Sequence, residues 1–235
     1  MGGFGQARSR VTVVTHLRRP VVLFDLDGTL ADTIGLIVAS YNHAFQAVLG
    51  TERAEAEIRS WIGRPLIESF AEVSPEHAGE LDRVYREWNI ANTERLLRVY
   101  DGVAELLRDL AAAGVRTGVV TSKRRQTALL AMRGVGIEGL APLLGTLEDT
   151  DRHKPLPDPL LHGAAKLGVE PADCVYVGDA AVDVAAARAA GMAAIAVSWG
   201  AVGREVLEAA APDAVVDTVD ELRQVIGLPS SVPAG

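Results

Sequence analysis

The stretch VVLFDLDGTLADT, residues 21–33, ends an apolar run in two carboxylates, Asp25 and Asp27, with Gly28 and Thr29 directly behind them. A short continuous run of Val, Leu and Phe marks a strand covered on both faces, as in a parallel sheet. Carboxylates at the mouth of such a strand are costly unless something pairs with them. Period-two geometry puts Asp25 and Asp27 on one side if the strand continues that far. Gly28 lets the chain turn where a Cβ would clash. The plainer alternative is a strand-to-turn junction with Asp27-Gly28 as turn residues. The rest of the chain decides between the two.

Working outward, the same kind of run recurs as VRTGVVT (115–121), CVYVGD (174–179), AAIAVSW (193–199) and AVV (214–216). Helical patterns lie between these runs. Residues 103–113 stop at Gly114, residues 124–133 follow, and residues 180–190 stop at Gly191. Residues 159–167 carry Asp158 as candidate N-cap and Pro159 at the first helical position. Strand–helix alternation of this kind predicts an α/β fold with a doubly wound parallel sheet.

Residues 33–100 break the alternation with helical patterns and no convincing strand. Seven of the chain's eleven aromatics lie there: Tyr41, Phe45, Trp61, Phe70, Tyr85, Trp88 and Tyr100. The expected organisation is an N-terminal tail (1–19), a core (20–32 and 101–227), an inserted helical unit (33–100) and a C-terminal tail (228–235). The aromatics would fill a small helical core; alternatively, Trp61 or a neighbour would line a substrate pocket. VTVV, residues 11–14, would form a short edge strand if it pairs.

Composition excludes several classes. The chain has 235 residues, 49% of them hydrophobic and 23% charged, which fits a soluble globular protein with a substantial core. A net charge of −8 argues against a nucleic-acid footprint, which needs a basic face. A single cysteine, Cys174, permits no intrachain disulfide and fits a reducing cytoplasm. No run is long and apolar enough for a membrane span, and the N-terminal residues lack the apolar region of a secretory signal. Cytoplasmic localisation is the expectation, and the oligomeric state is open.

Four features fall where predicted strands end, which is the edge where open α/β sheets bind ligands. The first is Asp25-Leu26-Asp27-Gly28-Thr29. The second is Thr121-Ser122-Lys123, whose hydroxyls and helix N-terminus suit an anion site or a plain helix cap. The third is Lys154 in HKPLPDP, where three prolines stiffen the loop and could aim one ammonium inward. Neighbouring His153 reads as a loop histidine with a remote prospect of substrate contact. The fourth is GDAAVD, residues 178–183, which sets Asp179 and Asp183 at i, i+4 near a helix start. There the negative charge could simply complement the helix dipole.

Taken together, Asp25, Asp27, Asp179 and Asp183 would repel one another without a counterion. Oxygen donors with no His or Cys cluster point to a hard cation, most simply Mg²⁺. With a divalent cation and Lys154, the four carboxylates would leave a formal charge near −1. Like-charge crowding raises a carboxylate pKa. A protonated Asp beside an ionised one is an acid beside a nucleophile, which suits phosphoryl transfer through an aspartyl-phosphate. The segment GVGIEG (134–139) matches G-x-G-x-x-G but follows a helix, so it predicts no dinucleotide.

The ordered set FDLDGTLADT, VVTSK, HKPLPDP and VYVGDAAVD resembles the haloacid dehalogenase-like (HAD) superfamily across most of residues 20–227. The resemblance implies a Rossmann-like core with a mobile helical cap at 33–100. It implies Asp25 as nucleophile, Asp27 as general acid/base, Thr121 as phosphoryl contact and Lys154 as the steadying cation. Gly28, Thr29, Ser122, Lys123 and Arg64 would complete the phosphate and substrate contacts. Mg²⁺ would be held by Asp25, the Asp27 carbonyl, Asp179 and, directly or through water, Asp183. Asp27 departs from the dehalogenase and phosphonate-cleaving patterns. Thr33-Ile34-Gly35-Leu36-Ile37 lacks the cap-hinge His of the β-phosphoglucomutase branch. The cap stretch Trp61-Ile62-Gly63-Arg64-Pro65-Leu66 resembles the specificity loop of phosphoglycolate-phosphatase-like members. A Mg²⁺-dependent phosphatase acting on a small phosphorylated metabolite is therefore expected: phosphoglycolate-like, a sugar phosphate or a ribosyl phosphate. Inorganic pyrophosphatase is the first alternative, ahead of a phosphomutase or a catalytically silent binding protein.

Overall fold

The computed structural model describes residues 17–228. The chain enters through β1 (Val21–Phe24), turns into the two-residue β2 (Ala31–Asp32), and passes into four helices. These are α1 (Ile34–Leu49), α2 (Glu55–Trp61), α3 (Leu66–Val73) and α4 (Ala78–Leu96). It returns through β3 (Arg98–Val99), which pairs antiparallel with β2. Two residues are too few to show an alternation, so neither β2 nor β3 was visible as a strand in the sequence. The alternating part then runs α5 (Val103–Ala112), β4 (Arg116–Val120), α6 (Arg125–Gly134), β5 (Leu143–Gly145), α7 (Asp158–Leu167) and β6 (Cys174–Gly178). It closes with α8 (Ala181–Ala189), β7 (Ala193–Val197), α9 (Arg204–Ala209), β8 (Ala214–Val216) and α10 (Val219–Val225).

Among the described residues the main sheet has six strands in the order β5-β4-β1-β6-β7-β8, all parallel. The period of two divides β1 between two cores. Val22 and Phe24 face one cluster with Leu106, Leu110, Met132 and Leu222. Val21 and Leu23 face the other with Leu160, Val184 and Leu207. Helices thus cover both faces, and the fully buried strands need no polar alternation. This is the doubly wound α/β core expected from the sequence. The edge strand β5 was missed because its residues, Leu-Leu-Gly, lack the β-branched character that marks the equally short β8, Ala-Val-Val.

Three local expectations need correction. Residues 17–19 were placed in a tail, but the Leu17 N–H donates to the Val225 carbonyl (2.8 Å) and the Arg18 guanidinium to the Gly227 carbonyl (2.8 Å). Leu228, expected to begin the C-terminal tail, is buried in the first core. Helix α7 begins at Asp158 rather than being capped by it, because Arg152 Nε holds the Asp158 carboxylate at 2.9 Å. The VTVV segment lies outside the described residues.

Tyr41, Phe45, Trp61, Phe70 and Tyr85 pack together inside the helical insertion, with ring centroids between 5.0 and 6.1 Å. Trp88 instead stacks on His43, and Tyr100 meets Trp199. The core-filling reading of the aromatics holds for Trp61, which is only 6% exposed. Phe70 is fully buried in this cluster. Phe70→Ala is expected to cost about 3–5 kcal/mol of stability, measured by urea unfolding, through lost burial and the cavity left behind.

Candidate active site

β1 lies between β4 and β6, so the carboxyl ends of these three parallel strands bring Asp25, Thr121 and Asp179 to one edge. β1 stops at Phe24, although the Asp25 N–H still donates to the Val177 carbonyl of β6 (2.8 Å). The Leu26 carbonyl then accepts from the N–H groups of Thr29, Leu30 and Ala31, which closes a tight turn. This turn, rather than continued strand pleating, sets Asp25 and Asp27 against the same cavity. Gly28 has a positive φ of 73°, and a Cβ there would overlap the Asp179 carboxylate.

Asp25, Asp179 and Asp183 offer carboxylate oxygens within 4.8 Å of one another. All three are essentially buried. Lys154 is buried with them: Nζ stands 2.7 Å from Asp183 Oδ1 and 3.2 Å from Asp25 Oδ1. The contact with Asp25 is an ion pair without hydrogen-bond alignment, so Asp25 Oδ1 is buried and accepts no hydrogen bond. Nζ also donates to the Tyr176 hydroxyl (3.0 Å), which donates to the Val120 carbonyl (2.7 Å). The other Asp183 oxygen accepts from the Ala180 N–H (3.0 Å). Asp179 accepts from the Ala201 N–H (2.6 Å) and, more weakly, from the Thr29 hydroxyl (3.4 Å).

The energetics follow from burial. Desolvation raises the Asp25 pKa to about 7, with the Asp183 and Asp27 charges adding to it and Lys154 opposing. Desolvation also pushes Asp179 well above the usual carboxylate range, helped by Asp183 and Asp25. For Lys154, desolvation favours the neutral amine, but Asp183 and Asp25 outweigh it and hold the ammonium charged. An orphaned buried oxygen and three crowded carboxylates fit a hard divalent cation held by Asp25, Asp179 and Asp183.

Asp27 stands outside this cluster. Its two oxygens accept from Lys123 Nζ at 3.0 and 3.2 Å. With Lys123 included, four carboxylates and two ammoniums sum to −2, which a divalent cation would neutralise. The sequence reading stopped at −1 because nothing in it paired Lys123 with Asp27.

The other expected contacts divide. Thr121 is buried at the cavity wall and its hydroxyl accepts from the Lys123 N–H (3.2 Å). The Ser122 hydroxyl is committed across the site, donating to the Gly63 carbonyl at 2.7 Å. The Arg64 guanidinium reaches the cavity wall while paired with Glu72. Trp61 and His153 do not line the cavity. The partly open cavity has a volume of about 60 Å³. Asp25, Asp27 and Thr121 line the sheet side, and Ile62, Gly63, Arg64, Tyr85, Arg86 and Asn89 line the insertion side. Arg86 and Asn89 were missed because a polar face on a long helix looks the same whether it meets solvent or a cavity. The loop after β7 was missed too, although its place at a strand's carboxyl end was a usable signal.

Residues 22–197 match the model of the haloacid dehalogenase-like hydrolases. The chain belongs to this family. It is a phosphoric-ester hydrolase of that family, in agreement with the motif order. It is 34% identical to the pyrophosphatase PpaX of Bacillus velezensis over 92% of this chain and all of that protein. Among solved structures, a haloacid dehalogenase-like hydrolase from Bacteroides fragilis superimposes with a TM-score of 0.80 at 26% identity, covering 87% of this chain and all of that one. A predicted phosphatase from Clostridium acetobutylicum gives 0.81 at 27% identity, covering 89% and 98%.

Asp25 and Asp179 both bind protons more tightly folded than unfolded. Their favourable contribution is present below pH about 4 and is lost as pH rises, for Asp25 through about 7. In chelator, the melting temperature of the HAD protein is therefore expected to fall between pH 5 and 8. Millimolar Mg²⁺ should flatten this dependence, as read by thermal scanning.

Proposed function

We propose that this protein is a Mg²⁺-dependent phosphatase that removes the phosphoryl group from a small metabolite with a compact, anionic leaving group. The observation that carries the reading is the cavity itself. Asp25 and Asp27 share it on one side, and Arg64, Arg86, Lys123 and Arg124 contribute to its lining. The cationic side chains in that lining favour a leaving group that carries negative charge. A small phosphate monoester with an acidic end, such as phosphoglycolate, fits that description. Inorganic pyrophosphate is the second reading, favoured by the name of the B. velezensis relative. Residues 33–100 act as a cap over the core, and the free, buried Cys174 is compatible with work in a reducing cytoplasm.

In this mechanism Asp25 attacks phosphorus and the bond to the leaving oxygen breaks. Asp27 supplies the proton to that oxygen. Asp27 then takes a proton from water as the water attacks the aspartyl-phosphate, which releases phosphate and regenerates Asp25. Lys123 must first leave Asp27, and the incoming phosphate oxygens offer it another partner. Lys154 holds Asp25 in place and stabilises charge on the transferring group, with the Thr121 hydroxyl contributing. Mg²⁺ bound at Asp25, Asp179 and Asp183 would neutralise charge on nucleophile and phosphate alike.

Phosphate release should be measured over a panel of phosphoglycolate, sugar phosphates, ribose 5-phosphate, pyrophosphate and p-nitrophenyl phosphate. The expected order puts the substrates with compact anionic leaving groups first in kcat/KM. Asp25→Asn should abolish turnover with folding intact, and Asp27→Asn should lower it by about 10²–10⁴. Normal turnover by Asp25→Asn would reject the mechanism.

A further inference from the structure

The loop after β7 joins the two halves of the molecule at one point. Its Ala201 N–H donates to Asp179 Oδ2 (2.6 Å), inside the acidic cluster. Its Ala201 side chain, 2% exposed, belongs to the apolar core of the helical insertion, together with Tyr41, Phe45 and Trp61. One residue of the core domain therefore sits in the cap's interior while its amide orients an acidic ligand.

Two further contacts pin the loop. Arg59 of α2 donates Nη1 to the Gly200 carbonyl (3.3 Å) and the Ala201 carbonyl (3.2 Å). Its Nε is held by Glu55 one turn earlier at 2.7 Å, which aims the guanidinium along the helix. On the core side, Trp199 Nε1 donates to the Thr29 carbonyl (3.2 Å), and the Tyr100 hydroxyl, next to β3, donates to the Trp199 carbonyl (3.2 Å). The fit is close: a Cβ on Gly200 would overlap Asp179 and crowd the Gly28 carbonyl.

We infer that Arg59 is a positioning residue that couples docking of the helical insertion to the placement of Asp179, acting through residues 199–201. When the insertion sits on the core, Arg59 and the buried Ala201 methyl hold the Ala201 N–H against Asp179. When it lifts, both restraints leave the loop, and the cluster loses one of its aligned donors. The inference rests on the metal reading above only for its second readout.

The test uses the full chain and the variants Arg59→Ala, Arg59→Lys and Glu55→Ala. Hydrogen exchange followed by mass spectrometry reads the loop directly. In Arg59→Ala the 199–203 amides should exchange about fivefold faster or more, while the β6 amides stay protected. Arg59→Lys, which keeps one donor group, should fall between, and Glu55→Ala should stay nearest the parent. Calorimetric titration with Mg²⁺ alone should show affinity reduced by a similar factor in Arg59→Ala. Faster loop exchange without Mg²⁺ uptake by any variant, the parent included, supports the coupling and rejects the metal reading. Unchanged loop exchange in Arg59→Ala, or acceleration spread evenly through α1 and α4, overturns the inference.

Discussion

The buried ammonium of Lys154 is the contact on which the site depends. It stands between Asp183 and Asp25, with the Tyr176 hydroxyl as its third partner. Without it, three carboxylates would share a water-poor pocket with no positive charge among them. Such a cluster would take up protons or open to water. With it, the buried Asp25 oxygen that no hydrogen bond claims has an ammonium 3.2 Å away, and Asp25 lines the cavity as an ion-paired carboxyl group. The anchoring is indirect: Tyr176 lies in the middle of β6, and its hydroxyl ties Lys154 to the end of β4 through the Val120 carbonyl. The sheet thereby fixes a charge that arrives from a loop.

A second constraint is that the site has two walls from different parts of the chain. The sheet edge supplies the acidic wall, and the helical insertion supplies a wall with Arg64, Arg86 and Asn89. The walls are bridged by polar contacts, Ser122 to the Gly63 carbonyl and Arg59 to the carbonyls of Gly200 and Ala201, and by the Ala201 methyl buried in the insertion's apolar core. Polar bridges of this kind exchange readily with water, in contrast to the aromatic packing inside the insertion.

The core strands β1, β4, β6 and β7 were legible because burial on both faces forces continuous apolar runs with little ambiguity. The pair β2–β3 was not, since two residues carry no period, and β5 (LLG) was not, since it lacks the β-branched residues that mark the equally short β8 (AVV). Asp25, Asp27, Thr121, Lys154, Asp179 and Asp183 were legible as candidates because each ends a strand or stands in a stiff loop at the same sheet edge. Their individual partners were not. Lys123 with Asp27 and Ser122 with Gly63 depend on distances between segments roughly 60 to 100 positions apart in the chain. No local pattern encodes such a pairing.

The sequence by itself determined the fold class, the order of the motifs and the chemical type of the donors. These follow from local hydrophobic period and residue chemistry, which survive without coordinates. Only the tertiary structure decided that Asp27 pairs with Lys123 rather than joining the acidic cluster. It also decided that Trp61 is packing while Arg86 and Asn89 face the cavity, and that the Ala201 amide completes the surroundings of Asp179. The reason is physical: electrostatics and hydrogen bonding act over a few ångströms in space, whereas hydrophobic period acts along the chain.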